Sequence, residues 1–522
     1  EEFSLELLEK PEWLGTDAGI IGYVPEPWTP IEYDGTTLGV WGRTVELGDS
    51  LFPAQITSQG EPLLAGPIAL RGATGNIECA AAEPAVQIRD RTEQKATWAG
   101  RASLGPVLAE VNAWMEYDGF MWFELTLGAV EAATLDSLRL EVPLAKEHST
   151  LLYSGNYRTI DTGVTPTEPW TSGPVACLGL SDEERGMQWC MQSRRGWNLQ
   201  DTEAAIEILP REDANVLVIN FIDAPTEMHE PRTIAFGLHP SPVKPPLEGR
   251  RKIRPVGKGL ERANTALWAT NWCLGCSYPL PIAERLHGML ADRQERLGRR
   301  TMLYTRLAEC SVKGPWYRYF RDEWRIDPGP RMDFDPDADW GKANPVCQNS
   351  KSWQDWTVWS FREAFRRQSA EGVYYDVSRP ALCMNRHHGC GFINERGELE
   401  PETQILATRE LQKRMWVVMH EQLDRECMVT HHMSGHLWTP TQSFSDAIID
   451  GENFTSMLED NYYELLPPDK FRAEFMGHQW GLTSIFLPEF SRAQLTPEMR
   501  ELYEGEEKLP VVRHLAGMIF LH

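Results

Sequence analysis

No unbroken apolar run reaches about eighteen residues, the least that crosses a bilayer as a helix, so the sequence excludes a helical membrane span. Positive charge is also short. Against 76 Asp and Glu stand 51 Lys and Arg, a formal net charge of −25. Nucleic-acid binding draws its affinity from Lys and Arg neutralising phosphates, so nucleic acid is set aside as a partner. Cysteine is sparse, and ten among 522 residues do not make a disulfide-stapled scaffold. Internal repeats are absent as well. The chain starts at Glu1 with neither Met nor a leader pattern, which fits a mature form after signal removal or a trimmed chain; a secreted or periplasmic protein is the expectation.

What is present is an ordinary globular composition, 42% hydrophobic and 24% charged, at a length beyond which one core stops growing. Tryptophan is abundant, at twenty residues. Its wide amphipathic face stacks on sugar rings and equally fills the cores of β-rich proteins.

Residues 1–240 read as an antiparallel β-sandwich, with strands over 38–47, 62–72, 109–128 and 135–144. Asp118-Gly119 divides the third into a hairpin with a two-residue turn. Residues 241–259, rich in Pro and basic residues, read as a linker. From 260 to 522 short apolar strands alternate with helical segments at 281–298 and 402–424, the pattern of a parallel sheet closed as a (β/α)8 TIM barrel. The eight strand candidates are 266–272, 301–307, 372–377, 427–432, 446–450, 473–481, 484–490 and 516–522. With the last strand at the end of the sequence, the barrel is expected to lack a covering helix and to hide an apolar flank by homo-oligomer contacts or against the N-terminal domain.

Barrel active sites lie at the C-terminal ends of the strands. Polar residues there are Asn271, Trp272, Glu309, Asp376, His431, His432, His436, Asp450, Glu452, Glu474, His478, Trp480 and Glu489. Glycosidic cleavage uses two carboxyl groups astride the bond, so Asp376 with Glu452 or Asp450 is the expected catalytic set. Trp272, His432, His478, Trp480, Glu474 and Glu309 are expected to bind substrate. Each has a plainer reading: Asp376 as a loop anchor, Glu474 as an ion-pair partner of Arg472, the tryptophans as core. Cys383, His387, His388 and Cys390 crowd one loop, but C-x3-H-H-x-C matches no common zinc spacing. They are expected to line a polar pocket or to form a Cys383–Cys390 disulfide. The pair Cys273 and Cys276 stands alone. No metal and no cofactor is predicted.

The stretches PEWLG (11–15), PEPWTPIEYDG (25–35), LLAGPIALR (63–71), GVYYDV (372–377), HHGCGF (387–392), IIDGENF (448–454) and DKFRAEFMGHQWG (469–481) resemble proteins related to glycoside hydrolase family 123. The resemblance implies a β-sandwich followed by a TIM barrel, and a glycoside hydrolase acting on a polysaccharide or glycan. It further implies an exo-acting β-N-acetylgalactosaminidase-like reaction in which the substrate's acetamido oxygen attacks the anomeric carbon and an adjacent Asp-Glu pair assists. No Asp-Glu dipeptide stands at a predicted strand end here; the nearest equivalents are Asp376 alone and the split Asp450-Gly451-Glu452. Two rival readings are a non-catalytic carbohydrate-binding protein and a metal-dependent enzyme built on the His and Cys loop.

Overall fold

Alternation of buried and exposed residues along 95–104 and 107–116 is the mark of strands with one face on a core. The computed structural model describes residues 9–48, 50–75, 77–129, 132–156, 159–249, 265–266, 300–339, 341–367, 370–433, 436–451, 466–487, 497, 501, 505–506 and 509–521. The chain forms two compact units, one of Glu1–Ile21, Arg251–Cys390 and Leu406–Thr430, the other of Gly22–Arg250, Gly391–Ile405 and His431–His522. This division is not the linear one read from the sequence, because both ends of the expected linear domains change sides.

The second unit holds the β-sandwich. Its nine-stranded antiparallel sheet includes Lys95–Leu104, Val107–Glu116, Met121–Ala129 and Arg232–Ser241, and a six-stranded sheet includes Ser137–Ala145 and Ala214–Ile222. Phe123 and Phe236 stack at 5.3 Å on the first sheet, and Phe221 from the second stacks on Phe236 at 5.9 Å. Side chains from two sheets meeting in this way form the middle of a sandwich.

The hairpin at Asp118 has three residues in its loop, not two. Glu116 N–H reaches Phe120 O, Gly119 N–H reaches Glu116 O at 2.8 Å, and Gly119 takes φ +81°. A type I turn closed by a left-handed glycine is the three-residue solution, and a Cβ on Gly119 would lie 2.8 Å from Arg43 Nη1.

In the first unit the parallel strands Leu303–Thr305 and Gly372–Tyr375 pair in register, Thr305 opposite Tyr375. Gly372 lies so close to the backbone of Met428 that a Cβ would stand 2.2 Å from its oxygen, and Met428 begins the strand Met428–His432. The predicted helix at 402–424 runs over Ile405–Glu421, and a further helix spans Lys351–Arg367. Trp353, Trp356, Phe361, Ala364 and Phe365 recur at helical spacing on the buried face of the latter. Trp13, from PEWLG, is fully buried among them and makes edge contacts with Trp316, Phe320 and Trp356 at 5.1–5.8 Å. In the second unit Ala447–Asp450 pairs in parallel with Thr483–Phe486.

Two strand candidates are helical. Residues 473–481 divide between the helix Pro468–Phe475 and a 3-10 turn His478–Trp480 bounded by left-handed Gly477 and Gly481. Proline in the first turn starts that helix, and Phe471 and Phe475, four residues apart, meet at 5.7 Å on one face. Of 516–522, residues 516–521 belong to the helix Leu509–Leu521, which again has proline in its first turn, at Pro510. The terminal strand flank, and with it the premise for homo-oligomer contacts there, is therefore not present. Of 266–272 only Ala266 is described, in the two-residue strand Thr265–Ala266, and the helix predicted at 281–298 lies outside the described residues. A closed eight-stranded barrel is not seen among the described residues, which are mostly β-sheet with some helices.

The beginning of the expected linker is core. Val243 is fully buried, and the ammonium of buried Lys244 donates to the carbonyls of Ser443 and Ser445. Arg43, also buried, donates to the carbonyls of Trp41, Asp118, Pro240 and Val243 at 2.7–3.1 Å. The Asp118 carboxylate accepts from Phe120 N–H and Ser443 Oγ and lies 3.7 Å from His239 Nε2. Burial pushes Lys244 down to about 8 and Arg43 down to about 10, while the charge of Asp118 pulls Arg43 the other way and those of Asp446 and then Asp118 do so for Lys244. Replacing Asp118 with Asn keeps the shape and leaves two buried cations without this counter-charge. Urea unfolding of Asp118→Asn is expected to show a loss of about 3 kcal/mol; an unchanged midpoint would remove the counter-charge role.

Candidate functional site

The register of the two parallel strands in the first unit carries their C-terminal ends to one level, and there four side chains gather. Tyr304 and Arg306 come from the first strand end, Glu309 from the turn after it, and Asp376 from the second. The Tyr304 hydroxyl donates to Asp376 Oδ2, Val377 N–H donates to Oδ1 at 2.9 Å, and Arg306 Nε lies 3.9 Å from Oδ2. Arg306 also donates from Nη1 to Glu309 Oε2 at 2.8 Å and from Nε to Tyr304 Oη at 3.3 Å. Asp376 and Glu309, two of the sequence candidates, thus share one arginine. Tyr304 and Arg306 escaped the sequence analysis because they lie inside the strand candidate 301–307, before its end, and only the register with the second strand brings them to Asp376.

The turn holding Asp376 is over-determined. Its N–H donates to Thr305 O at 2.8 Å, and Ser378 Oγ donates to its carbonyl at 2.9 Å and accepts Leu307 N–H. Trp353 Nε1 secures the carbonyl of Leu307 at 3.1 Å. Between these ties Val377 takes φ +46°, left-handed backbone that a β-branched residue avoids and that costs about 1–3 kcal/mol. Donors that converge on a carboxylate favour its ionised form. The same contact acts on Tyr304, where burial first and then the Asp376 charge push the phenol well above the usual tyrosine range. Arg306 is raised despite burial, which works against its charge, because it donates to Glu309 and Tyr304.

The second unit holds another group of candidates. Asp450 and Glu474 are each only 1% exposed. Both charges raise the Tyr153 phenol, behind the larger effect of burial. Glu474 Oε2 accepts from Thr162 Oγ1 at 3.3 Å, Asp450 Oδ1 accepts Gly451 N–H at 2.9 Å, and Arg472 pairs with Asp469 and Glu183. His432 is buried. Trp480 is enclosed with Tyr153, Val243, Met433, Leu437, Ile448 and Leu482, its ring against Gly179, which leaves it as packing in this unit. His478 is half-exposed and pairs with Glu184 at 2.9 Å. Glu452, Trp272, Asn271, Glu489, Cys273 and Cys276 lie outside the described residues. The one Asp-Glu dipeptide on the helix Tyr317–Trp324 is structural, since Glu323 accepts from Ser350 and Ser352.

The loop after Asp376 departs from expectation. Cys347, Cys383, His388 and Cys390 place their ligand atoms within 4.8 Å of one another, whereas His387 is exposed. Cys383 and Cys390 are free thiols, not a disulfide. Cys347 and Cys390 hydrogen-bond to the Cys383 sulfur, pulling it well below the usual thiol range and raising Cys347.

Because folding holds the Tyr304 phenol neutral, its contribution to stability is complete below about pH 10, the unfolded value, and is lost as pH rises above it. Urea unfolding of Tyr304→Phe above about pH 10 is expected to show an alkaline slope shallower by up to about 1.4 kcal/mol per pH unit. Equal slopes in parent and variant would show that the phenol is not held neutral.

The geometry can be set beside known proteins. A search of the curated proteins finds no match. Among solved structures, alpha-galactosidase AgaA from Geobacillus stearothermophilus is similar at 10% identity and TM-score 0.38, over 94% of this chain and 86% of that one. Alpha-galactosidase TtGalA from Thermus thermophilus, in complex with stachyose, is similar at 12% identity and TM-score 0.32, over 85% and 94%. Residues 31–199 match the family described as Glycoside hydrolase 123, third domain, so the resemblance seen in the motifs holds over this part of the chain, which is glycoside hydrolase-like.

Proposed function

We propose that the protein is a glycoside hydrolase that cleaves a glycosidic bond in a glycan or polysaccharide, with Asp376 as the carboxylate that faces positive charge at the anomeric centre. The observation that supports this reading is the setting of Asp376: an acid at the C-terminal end of a parallel strand, held by a phenol, a backbone N–H and an arginine on a strained turn. Ligand sites of parallel α/β folds lie at that end of the strands. A carboxylate held as the anion opposes the charge of an oxocarbenium-like transition state. The same property serves an acetamido-assisted route, in which the positive charge resides on the ring formed by the substrate's own acetamido group. A (β/α)8 barrel as the catalytic scaffold belongs to this proposal.

Proton donation to the leaving oxygen needs a different group, for which Asp450 and Glu452 are the proposed candidates, tested one at a time. The decisive assay is a panel of aryl glycosides with and without a 2-acetamido group. With whichever substrate turns over, Asp376→Asn is expected to lose about 10²–10³-fold in kcat while melting at the parent temperature. Parent-rate turnover by that variant would take Asp376 out of the mechanism.

A binding-only reading draws on one observation. Arg306 pairs with Glu309 at 2.8 Å and lies 3.9 Å from Asp376, so both carboxylates of this cluster are engaged by one arginine in the manner of a fixed binding surface. Calorimetric binding of a sugar in the panel, with none of the panel hydrolysed, would favour that reading.

A further inference from the structure

We propose that Cys347, Cys383, His388 and Cys390 bind one structural Zn2+ ion. All four belong to the first unit. The inference concerns the loop rather than the reaction, and it stands whether or not the chain hydrolyses glycosides.

The Cys347–Cys390 spacing fits a tetrahedral site. Cys347 Sγ and Cys390 Sγ are 3.7 Å apart. Zn–S bonds of about 2.3 Å meeting at the tetrahedral angle put two sulfurs about 3.8 Å apart, whereas a disulfide needs about 2.05 Å. His388 brings Nδ1 to 3.1 Å from Cys390 Sγ. Three sulfurs and one imidazole nitrogen form a soft, closed set that selects zinc over calcium or magnesium.

The surroundings are those of thiolates and of a metal-binding imidazole. Asn349 N–H points at Cys347 Sγ and Asn385 N–H at Cys383 Sγ, each at 3.4 Å and each two residues after its cysteine. The Asn349 side-chain amide donates to Cys390 Sγ at 3.6 Å and to His388 O at 2.8 Å. These donors are spent on sulfur, a weak acceptor as a thiol and a strong one as a thiolate. The other ring nitrogen of His388, Nε2, faces the carbonyl of Arg325 at 3.4 Å. That contact fixes the tautomer with the proton on Nε2 and the lone pair on Nδ1, the usual arrangement around a metal-bound histidine. Among the described residues Ile326 is the one partly buried hydrophobic neighbour that packs against the thiols, so apolar packing is a weak reason for gathering three cysteines.

With four protein ligands no position is left for water or substrate, so the ion holds structure and performs no chemistry. It would clip the chain ahead of the helix Lys351–Arg367 to the loop that follows Asp376. Weaker ties join the same segments: Gln348 donates to Arg379 O at 3.2 Å and accepts Ala381 N–H at 3.3 Å.

The test uses the full chain, purified without chelator and with zinc in the growth medium. Elemental analysis is expected to find one zinc per chain, and the thiols should release it to a chromogenic chelator on mercurial titration. Cobalt-loaded protein should show the intense visible bands of tetrahedral thiolate coordination. Asn349→Ala keeps all four ligands and is expected to weaken zinc by about 10–100-fold in chelator competition; Cys383→Ser, where it folds, should lose the cobalt bands. Zinc well below stoichiometry in parent protein after zinc is supplied, cobalt spectra without those bands, or a Cys347–Cys390 disulfide in the purified chain would each overturn the assignment.

Discussion

Buried charge in the second unit imposes the constraint on which much else rests. Arg43, Asp118 and Lys244 are all buried, and a charge taken out of water must be met by counter-charge and hydrogen bonds or the fold fails. Meeting that demand draws together the hairpin at 116–120, the strand Arg43–Glu46, the end of the strand Arg232–Ser241 and the segment 437–446. His239 Nδ1 pairs with Thr439 Oγ1, and Gln188 accepts Thr439 N–H and donates to Leu437 O. Trp28, from PEPWTPIEYDG, donates to Val243 O and lies 5.5 Å beneath the Lys244 ammonium. Residues 241–244 thus cannot act as a flexible tether, and a proline-rich composition that reads as a linker is compatible with a closely hydrogen-bonded crossing.

The first unit solves a related problem with aromatics. Trp13, Trp324, Trp353 and Trp356 form a core in which ring edges meet ring faces. Two of these indoles also have polar duties: Trp353 secures the Leu307 carbonyl and Trp324 donates to Ser352. Core packing and the geometry of the Asp376 turn are therefore connected, since the Leu307 N–H and carbonyl are held by Ser378 and by Trp353. Arg414, buried and paired with Asp355 at 2.8 Å, ties the N-terminal segment through Ala18 O while Asp355 accepts Gly15 N–H. The tryptophan abundance, which fits sugar stacking and core filling equally, is accounted for at these positions by packing.

Period-two alternation made the sandwich strands legible, and short apolar runs found Leu303–Thr305, Gly372–Tyr375, Met428–His432 and Ala447–Asp450. The same cue misled at 473–481 and 516–522, because a short apolar segment fits strand or helix alike and the prolines at 468 and 510 were the arbitrating signals. Asp376 could be found because its neighbours in sequence define a strand end. Tyr304 and Arg306 could not, since what makes them partners of Asp376 is the register between two strands far apart in sequence.

Distance along the chain also explains why the cysteine cluster was hidden. Spacing rules for zinc recognise ligands that arrive in pairs from one turn, and here Cys383, His388 and Cys390 satisfy none of them. The fourth ligand, Cys347, comes from the residues before another helix, and His387, the neighbour that spoils the spacing, points away. A loop as long as 376–390 with little regular structure needs something other than a hydrophobic core to hold it, because few of its side chains are large and apolar. Three sulfurs, two held by backbone N–H groups and the third by the Asn349 side-chain amide, give it that anchor. Asp376 opens the same loop, so that loop is held at its start by the strand register and the Ser378 hydrogen bonds, and at its end by the cysteine cluster.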